Sequence, residues 1–108
     1  LTKRSMDAFR DHYVRPGHDP LDPMISPLFG RLDGLPPALV QTADLDPIRD
    51  DGIRYADALR AAGVPTRLTN YLRVPHGFAS MPGAAPSVGR QHRWELVNEL
   101  SSALSATA

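Results

Sequence analysis

Asp46 and His76 stand thirty positions apart, each just beyond a short apolar run. The aspartate lies in Ala43-Asp44-Leu45-Asp46-Pro47-Ile48-Arg49-Asp50 and the histidine in Val74-Pro75-His76-Gly77-Phe78. A carboxylate set against an imidazole holds the ring in one tautomer and stabilises the imidazolium formed when the ring takes a proton. The histidine can then act as general base toward a hydroxyl and as acid toward a leaving group. The two residue types suit the acid and base of a Ser-His-Asp constellation, and the sequence offers no third member. It contains no Gly-x-Ser-x-Gly, the pattern that puts a serine on a strand-to-helix elbow. The nearest imitation, Ala85-Pro86-Ser87-Val88-Gly89, follows the histidine, has no strand before it and places Pro ahead of Ser. Ser87 reads instead as the N-cap of the last helix. No glycine run suited to an oxyanion hole is present either.

Both residues also have plainer readings. Asp46-Pro47 can simply open a turn before a helix, and an isolated loop histidine is usually just hydrogen-bonded. Asp44, Asp50 and Asp51 compete for the acid's role. Asp50 and Asp51 fit better in a first helical turn, where negative charge suits the helix dipole, and Asp44 lies closer to the strand end. His12, His18 and His92 read as surface residues. Gly17-His18-Asp19 with Asp22 could approach a metal, but no His-x-His or His-x-x-x-His pair supports it, so no metal site is expected.

The elements that must carry the pair follow from periodicity. Residues 1–14 read as a helix from Thr2 to about Val14, with Thr2 or Ser5 as N-cap and Met6, Phe9 and Tyr13 on one stripe. Such a stripe is more often core than pocket. Residues 15–37 form a Pro/Gly-rich loop, long for a compact domain and with little to lie on. From residue 38 the pattern is strand, helix, strand, helix. Ala38–Ala43 is a buried strand entered through Pro36-Pro37. Asp50 to Ala62 is a helix with Ile53, Ala56 and Leu59 inward, Tyr55 flanking and Gly63 as its C′ residue. Arg67–Leu72 is a second strand with Leu68, Asn70 and Leu72 on one face. A turn at Met81-Pro82-Gly83 leads to a last helix from about Ser87 to Leu104, with Trp94, Val97, Leu100 and Leu104 as its apolar stripe.

A strand-helix-strand crossover of this length makes the strands parallel and nearly always right-handed. They would lie about 4.8 Å apart, with their C-terminal ends at one edge. Ligands bind at that edge in open α/β sheets, and Asp46 and His76 both fall within a few residues of it. The fold class is therefore α/β: a βαβ unit with two parallel strands plus N- and C-terminal helices, in a single partial domain covering residues 1–108.

Composition sets the outer bounds. The chain has 108 residues, formal net charge 0 and no cysteine. That excludes disulfides and thiolate metal sites and fits a cytoplasmic protein. No basic stripe suggests nucleic acid. No apolar run approaches the roughly 18 residues a membrane span needs. The start carries neither a signal peptide nor a Met, which suggests that the sequence begins mid-protein.

Taken in order, Leu35-Pro36-Pro37-Ala38-Leu39-Val40, Asp46-Pro47-Ile48-Arg49-Asp50-Asp51-Gly52, Tyr55-Ala56, Leu59, Ala62-Gly63-Val64 and His76-Gly77-Phe78 resemble the C-terminal third of hormone-sensitive-lipase-like esterases of the α/β-hydrolase superfamily. Ser26-Pro27-Leu28 and the opening helix resemble the segment before that region. The resemblance implies that Asp46 is the triad acid and His76 the base. It further implies hydrolysis of small-molecule carboxylic esters, with short or medium acyl chains, through a serine acyl-enzyme and without a cofactor. Met6, Phe9 and Phe78 would lie near the substrate pocket by the same comparison. The nucleophile elbow, the His-Gly-Gly oxyanion motif and the first several strands of the family have no counterpart here, and Pro75 stands where the family more often has an aliphatic residue. The chain alone is expected to be inactive and to associate with the missing N-terminal half or with itself. The rival readings are a non-catalytic interaction module that binds a partner through its exposed sheet edge, a small-molecule-binding protein, and a structural βαβ domain in which Asp46 and His76 never meet.

Overall fold

The computed structural model describes residues 1–81, 83 and 85–106. Its elements are α1 (Lys3–Tyr13), β1 (Ala38–Ala43), α2 (Arg49–Ala61), β2 (Thr66–Tyr71) and α3 (Pro86–Ala106), with single 3-10 turns at Pro27–Phe29 and Phe78–Ser80. The strands pair in parallel, in the register Ala38↔Thr66 through Ala43↔Tyr71. This is the α/β arrangement expected from the spacing. Pro82, in the expected turn at 81–83, lies outside the described residues.

Strand side chains alternate between the two sheet faces, and each face has its own helix. On the face of Ala38 and Val40, Leu59 of α2 and Val64 just beyond the helix pack with Leu32 from the loop that precedes β1. The helix comes very close to the sheet at Gly52, where an added Cβ would lie 2.7 Å from Cγ2 of Thr42. The helix ends where its sequence dictates. Gly63 adopts φ +83, its N–H donates to the Arg60 carbonyl, and the Val64 N–H donates to that of Leu59. This is a Schellman closure with the buried Val64 as its apolar clasp. The opposite face buries Ala43, Tyr71, Val74 and Phe78, with Ala85 and Val88 packed on them.

Several local expectations change. The 15–37 loop does have something to lie on, because Leu32 anchors it against Leu59 of α2; within it Pro27 opens a 3-10 turn, and the Asp19 and Asp22 carboxylates cap turns by accepting the Leu21 and Met24 N–H groups. Ser87 is not an N-cap. The Gly89 N–H donates to the Ala85 carbonyl, so the cap position is Ala85, and Pro86 enters at the first helical position, where its missing N–H costs nothing. Leu72 falls beyond β2 and is exposed.

The largest departure is the face that α3 turns inward. Trp94, Val97, Leu100 and Leu104, the expected inner stripe, are 54–69% exposed. The helix instead lies against β1 and the 78–80 turn and buries Val88, His92 and Glu95 at least in part. α1 has the expected cap, with Thr2 and Ser5 exchanging side-chain and backbone hydrogen bonds. It buries none of its residues, so Phe9 and Tyr13 are exposed.

Candidate active site

The loops after β1 and β2 are stitched together before either reaches its polar residue. The Asp44 N–H donates to the Tyr71 carbonyl at 2.9 Å and the Leu45 N–H to the Val74 carbonyl at 3.0 Å. These bonds extend the strand pairing past the end of the sheet and carry both loops forward in parallel. Asp46 then meets His76, with 2.7 Å between Oδ2 and Nδ1. An ionised carboxylate only accepts, so the proton in this contact is assigned to Nδ1, and in the neutral ring the far nitrogen, Nε2, carries the lone pair.

Asp46 is held by more than the imidazole. Its other oxygen, Oδ1, accepts the Ile48 N–H at 2.9 Å, fastening the turn that leads into α2. Its side chain is only 11% exposed, whereas that of His76 is 44% exposed. On the histidine side, Gly77 adopts φ +76, left-handed geometry that favours glycine. The buried Val74 and Phe78 bracket the exposed Pro75-His76-Gly77 segment.

The competing acids are occupied elsewhere. Asp44 and Asp50 lie 3.3 and 3.0 Å from the Arg49 guanidinium, and Asp51 pairs with Arg54 at 3.6 Å. Asp50 and Asp51 occupy the first turn of α2. Among the described residues no group of three or more His, Asp or Glu side chains is placed to hold a metal ion.

A cavity of about 370 Å³ opens beside the pair, with Thr42, Ile48, Gly52, Phe78 and His92 among its walls. A second, of about 510 Å³, lies between Ile25–Phe29 and the α2 residues Asp51, Arg54 and Tyr55. Asp51 borders both. Of the three residues expected near a substrate, Phe78 lines the cavity of the pair, while Met6 and Phe9 on α1 border neither.

The sequence reading overlooked a polar cluster directly behind this site. Glu95 of α3 reaches the sheet with a side chain only 7% exposed. Its Oε1 accepts the Tyr71 hydroxyl at 2.7 Å and the Gln41 amide at 3.1 Å. Its Oε2 accepts the Thr69 hydroxyl at 2.7 Å and lies 3.1 Å from Nη2 of Arg67. Burial by itself would raise this carboxyl. The hydrogen bonds from Thr69, Tyr71 and Gln41 and the charge of Arg67 outweigh it and hold the group below its usual range. Burial pushes the Tyr71 phenol up to about 12, and its bond to Glu95 adds to that effect. His92, one turn before Glu95, is half-buried rather than fully on the surface: its Nδ1 is buried and has no hydrogen-bond partner among the described residues. A signal for the cluster existed, because Gln41 in β1 and Arg67, Thr69 and Tyr71 in β2 fall on one face of a sheet that must be covered.

No helix among the described residues is long and apolar enough to cross a membrane. Residues 1–80 match the family described as having the alpha/beta hydrolase fold. The carboxylic ester hydrolase LipN of Mycobacterium tuberculosis is 44% identical over 110 residues, covering 98% of this chain and 27% of LipN. The carboxylesterase NlhH of the same organism is 41% identical over 99 residues, covering 83% of this chain and 31% of NlhH. An esterase structure from Pyrobaculum calidifontis superposes with a TM-score of 0.90 at 36% identity, covering 96% of this chain and 34% of that one. The chain thus spans about a third or less of the length of these relatives. By its matched residues, its parallel βαβ core and these likenesses, it belongs to the α/β-hydrolase family, in the hormone-sensitive-lipase-like branch.

Proposed function

We propose that this chain supplies the acid and the base of a Ser-His-Asp carboxylesterase, the serine being contributed by a part of the hydrolase domain that this sequence does not contain. The observation that carries the reading is the 2.7 Å contact between Asp46 Oδ2 and His76 Nδ1. With Nδ1–H committed to Asp46, Nε2 of His76 is the basic nitrogen and lies on the more exposed side of the pair. It takes the serine proton as the hydroxyl attacks the ester carbonyl, and returns it to the departing alcohol. Asp46 stabilises the intervening imidazolium without taking the proton. The substrate class is a carboxylic ester, as the relatives' names suggest. Phe78 is proposed to line its pocket, with Met6 and Phe9 joining it once α1 is covered.

Among the described residues, α1, the stripe Trp94–Val97–Leu100 and one side of each strand are uncovered. An open sheet beside exposed apolar helices favours association, with the remainder of the domain as the favoured partner. An interaction module would use the same surfaces, but it gives no account of the Asp46–His76 contact.

The test is a chimera in which this chain replaces the matching 110 residues of LipN. It is expected to hydrolyse p-nitrophenyl butyrate, while the chain alone does not. His76→Ala should abolish turnover in the chimera. Asp46→Asn should lower kcat by about 10⁴-fold, as loss of the orienting carboxylate does in serine hydrolases. A folded chimera that is silent, or that keeps its turnover after His76→Ala, refutes the assignment.

A further inference from the structure

The His76 ring is poorly held for a residue assigned so exacting a role. Its one side-chain hydrogen-bond partner among the described residues is Asp46, and nearly half of its side chain is exposed. The segment that carries it, Pro75-His76-Gly77, is itself exposed. What fixes the segment is the residue that follows it. Phe78 is buried, and two aromatic rings meet it: Tyr71 at 5.6 Å between centroids and His92 at 5.3 Å, the latter edge-on at 85°. Tyr71 and His92 also touch each other, at 5.7 Å. The three rings close a triangle, and T-shaped or tilted contacts of this kind have preferred geometry as well as attraction.

Two corners of that triangle are anchored independently of Phe78. The Tyr71 hydroxyl is bound to Glu95. The His92 backbone carbonyl accepts the Gln41 amide at 3.2 Å, and the same amide donates to Glu95. His92 is therefore keyed to β1 through its backbone, and its ring is presented to Phe78 by a helix that cannot shift without breaking the Glu95 cluster. The contacts that its ring makes to Phe78 and Tyr71 are ring-to-ring, so its contribution here is shape.

We propose that His92 is a positioning residue for His76: by bracing Phe78 edge-on, it fixes the 76–78 turn and keeps Nδ1 of His76 on Asp46. The term positioning rests on the catalytic reading above, whereas the geometric claim does not depend on turnover. The deciding measurement is long-range ¹H–¹⁵N NMR of ¹⁵N-histidine-labelled chain, which reads the tautomer of each imidazole. The parent is expected to hold His76 in the Nδ1–H form at a pH where the ring is neutral. His92→Leu keeps apolar volume but removes the ring, and should convert His76 to a mixture of tautomers. His92→Phe keeps the ring edge and should restore the Nδ1–H form. If the leucine variant loses its helical circular dichroism, His92→Met, which fills the same space with a flexible chain, takes its place. A parent without the Nδ1–H form overturns the proposal. So does a ring-deleted variant that keeps the form, or a phenylalanine variant that loses it. None of these results depends on hydrolysis by the chimera, so the two readings fail separately.

Discussion

Glu95→Ala should loosen α3 from the sheet, and the size of the effect can be worked from the contacts. The carboxylate accepts from Tyr71, Gln41 and Thr69 and faces Arg67. Breaking a buried, hydrogen-bonded ion pair by removing one partner costs about 3–5 kcal/mol. Arg67 has a side chain 56% exposed and regains water, which places the cost near the lower end, about 3 kcal/mol. Glu95→Gln retains an oxygen for Tyr71 and Gln41 but turns an amide toward Arg67, so about 1–2 kcal/mol is expected. With an m-value of about 2 kcal/mol/M in urea, the midpoints fall by about 1.5 M and about 0.5–1 M. Urea titration at pH 7, followed by helical circular dichroism, measures both. The parent carries a second signature, because its Glu95 carboxyl is lowered in the folded state from an ordinary value of 4.5. A lowered carboxyl contributes stability that is full above its unfolded value and lost as pH falls through the folded one. The gap between parent and Glu95→Ala should therefore narrow below about pH 4.5. An alanine variant within about 0.5 kcal/mol of the parent at pH 7, the range of an ordinary surface change, would refute the idea that this cluster holds the helix.

Two further outcomes follow from single positions. Gly52→Ala sets a helix-propensity gain of about 1 kcal/mol against a methyl placed 2.7 Å from Thr42 Cγ2. Overpacking of this kind costs about 1–3 kcal/mol, so the variant should lose stability in urea, and adding Thr42→Ser, which removes that methyl, should restore it. At the alkaline end, Tyr71 is raised from 10.0 to about 12. Its contribution is full below the unfolded value and lost as pH rises from 10 toward 12. Tyr71→Phe should lack this alkaline loss, read as a flat urea midpoint over the same range.

The sequence made β1, α2 and their punctuation legible because the determinants are local. Pro36-Pro37 precedes the strand, Gly63 supplies the left-handed residue that closes the helix, and Val64 is the apolar clasp. The parallel pairing followed from the crossover length, and with it the meeting of Asp46 and His76. The inward face of α3 was not legible, and the reason is physical. Its most apolar stripe is Trp94, Val97, Leu100 and Leu104, and in a self-contained domain that stripe would turn to the core. Here the sheet face below α3 is polar at Gln41, Thr69 and Arg67. A helix covering such a face must bring a matching acceptor, so Glu95 faces inward and the apolar stripe faces away. Hydrophobic periodicity reports which side of a helix avoids water, but not which of two surfaces covers it. In a chain that spans a third or less of its relatives, those can be different surfaces.

Asp46 shows why a turn residue and the partner of a histidine need not be alternatives. One carboxylate oxygen accepts the Ile48 N–H and the other meets His76. The first is the local bond an aspartate makes to its own backbone two residues on, and the residue at the N-cap of α2, Ile48, offers no side-chain bond of its own. The entry to α2 and the orientation of the histidine thus share one side chain. Aspartate suits this double use because its short side chain, once fixed by the turn, has little freedom left to lose when its second oxygen engages the imidazole. Glutamate, with one more rotatable bond, could reach the ring only by giving up that local restraint. The Asp46-Pro47 turn is thus the device that would pre-organise the proposed acid.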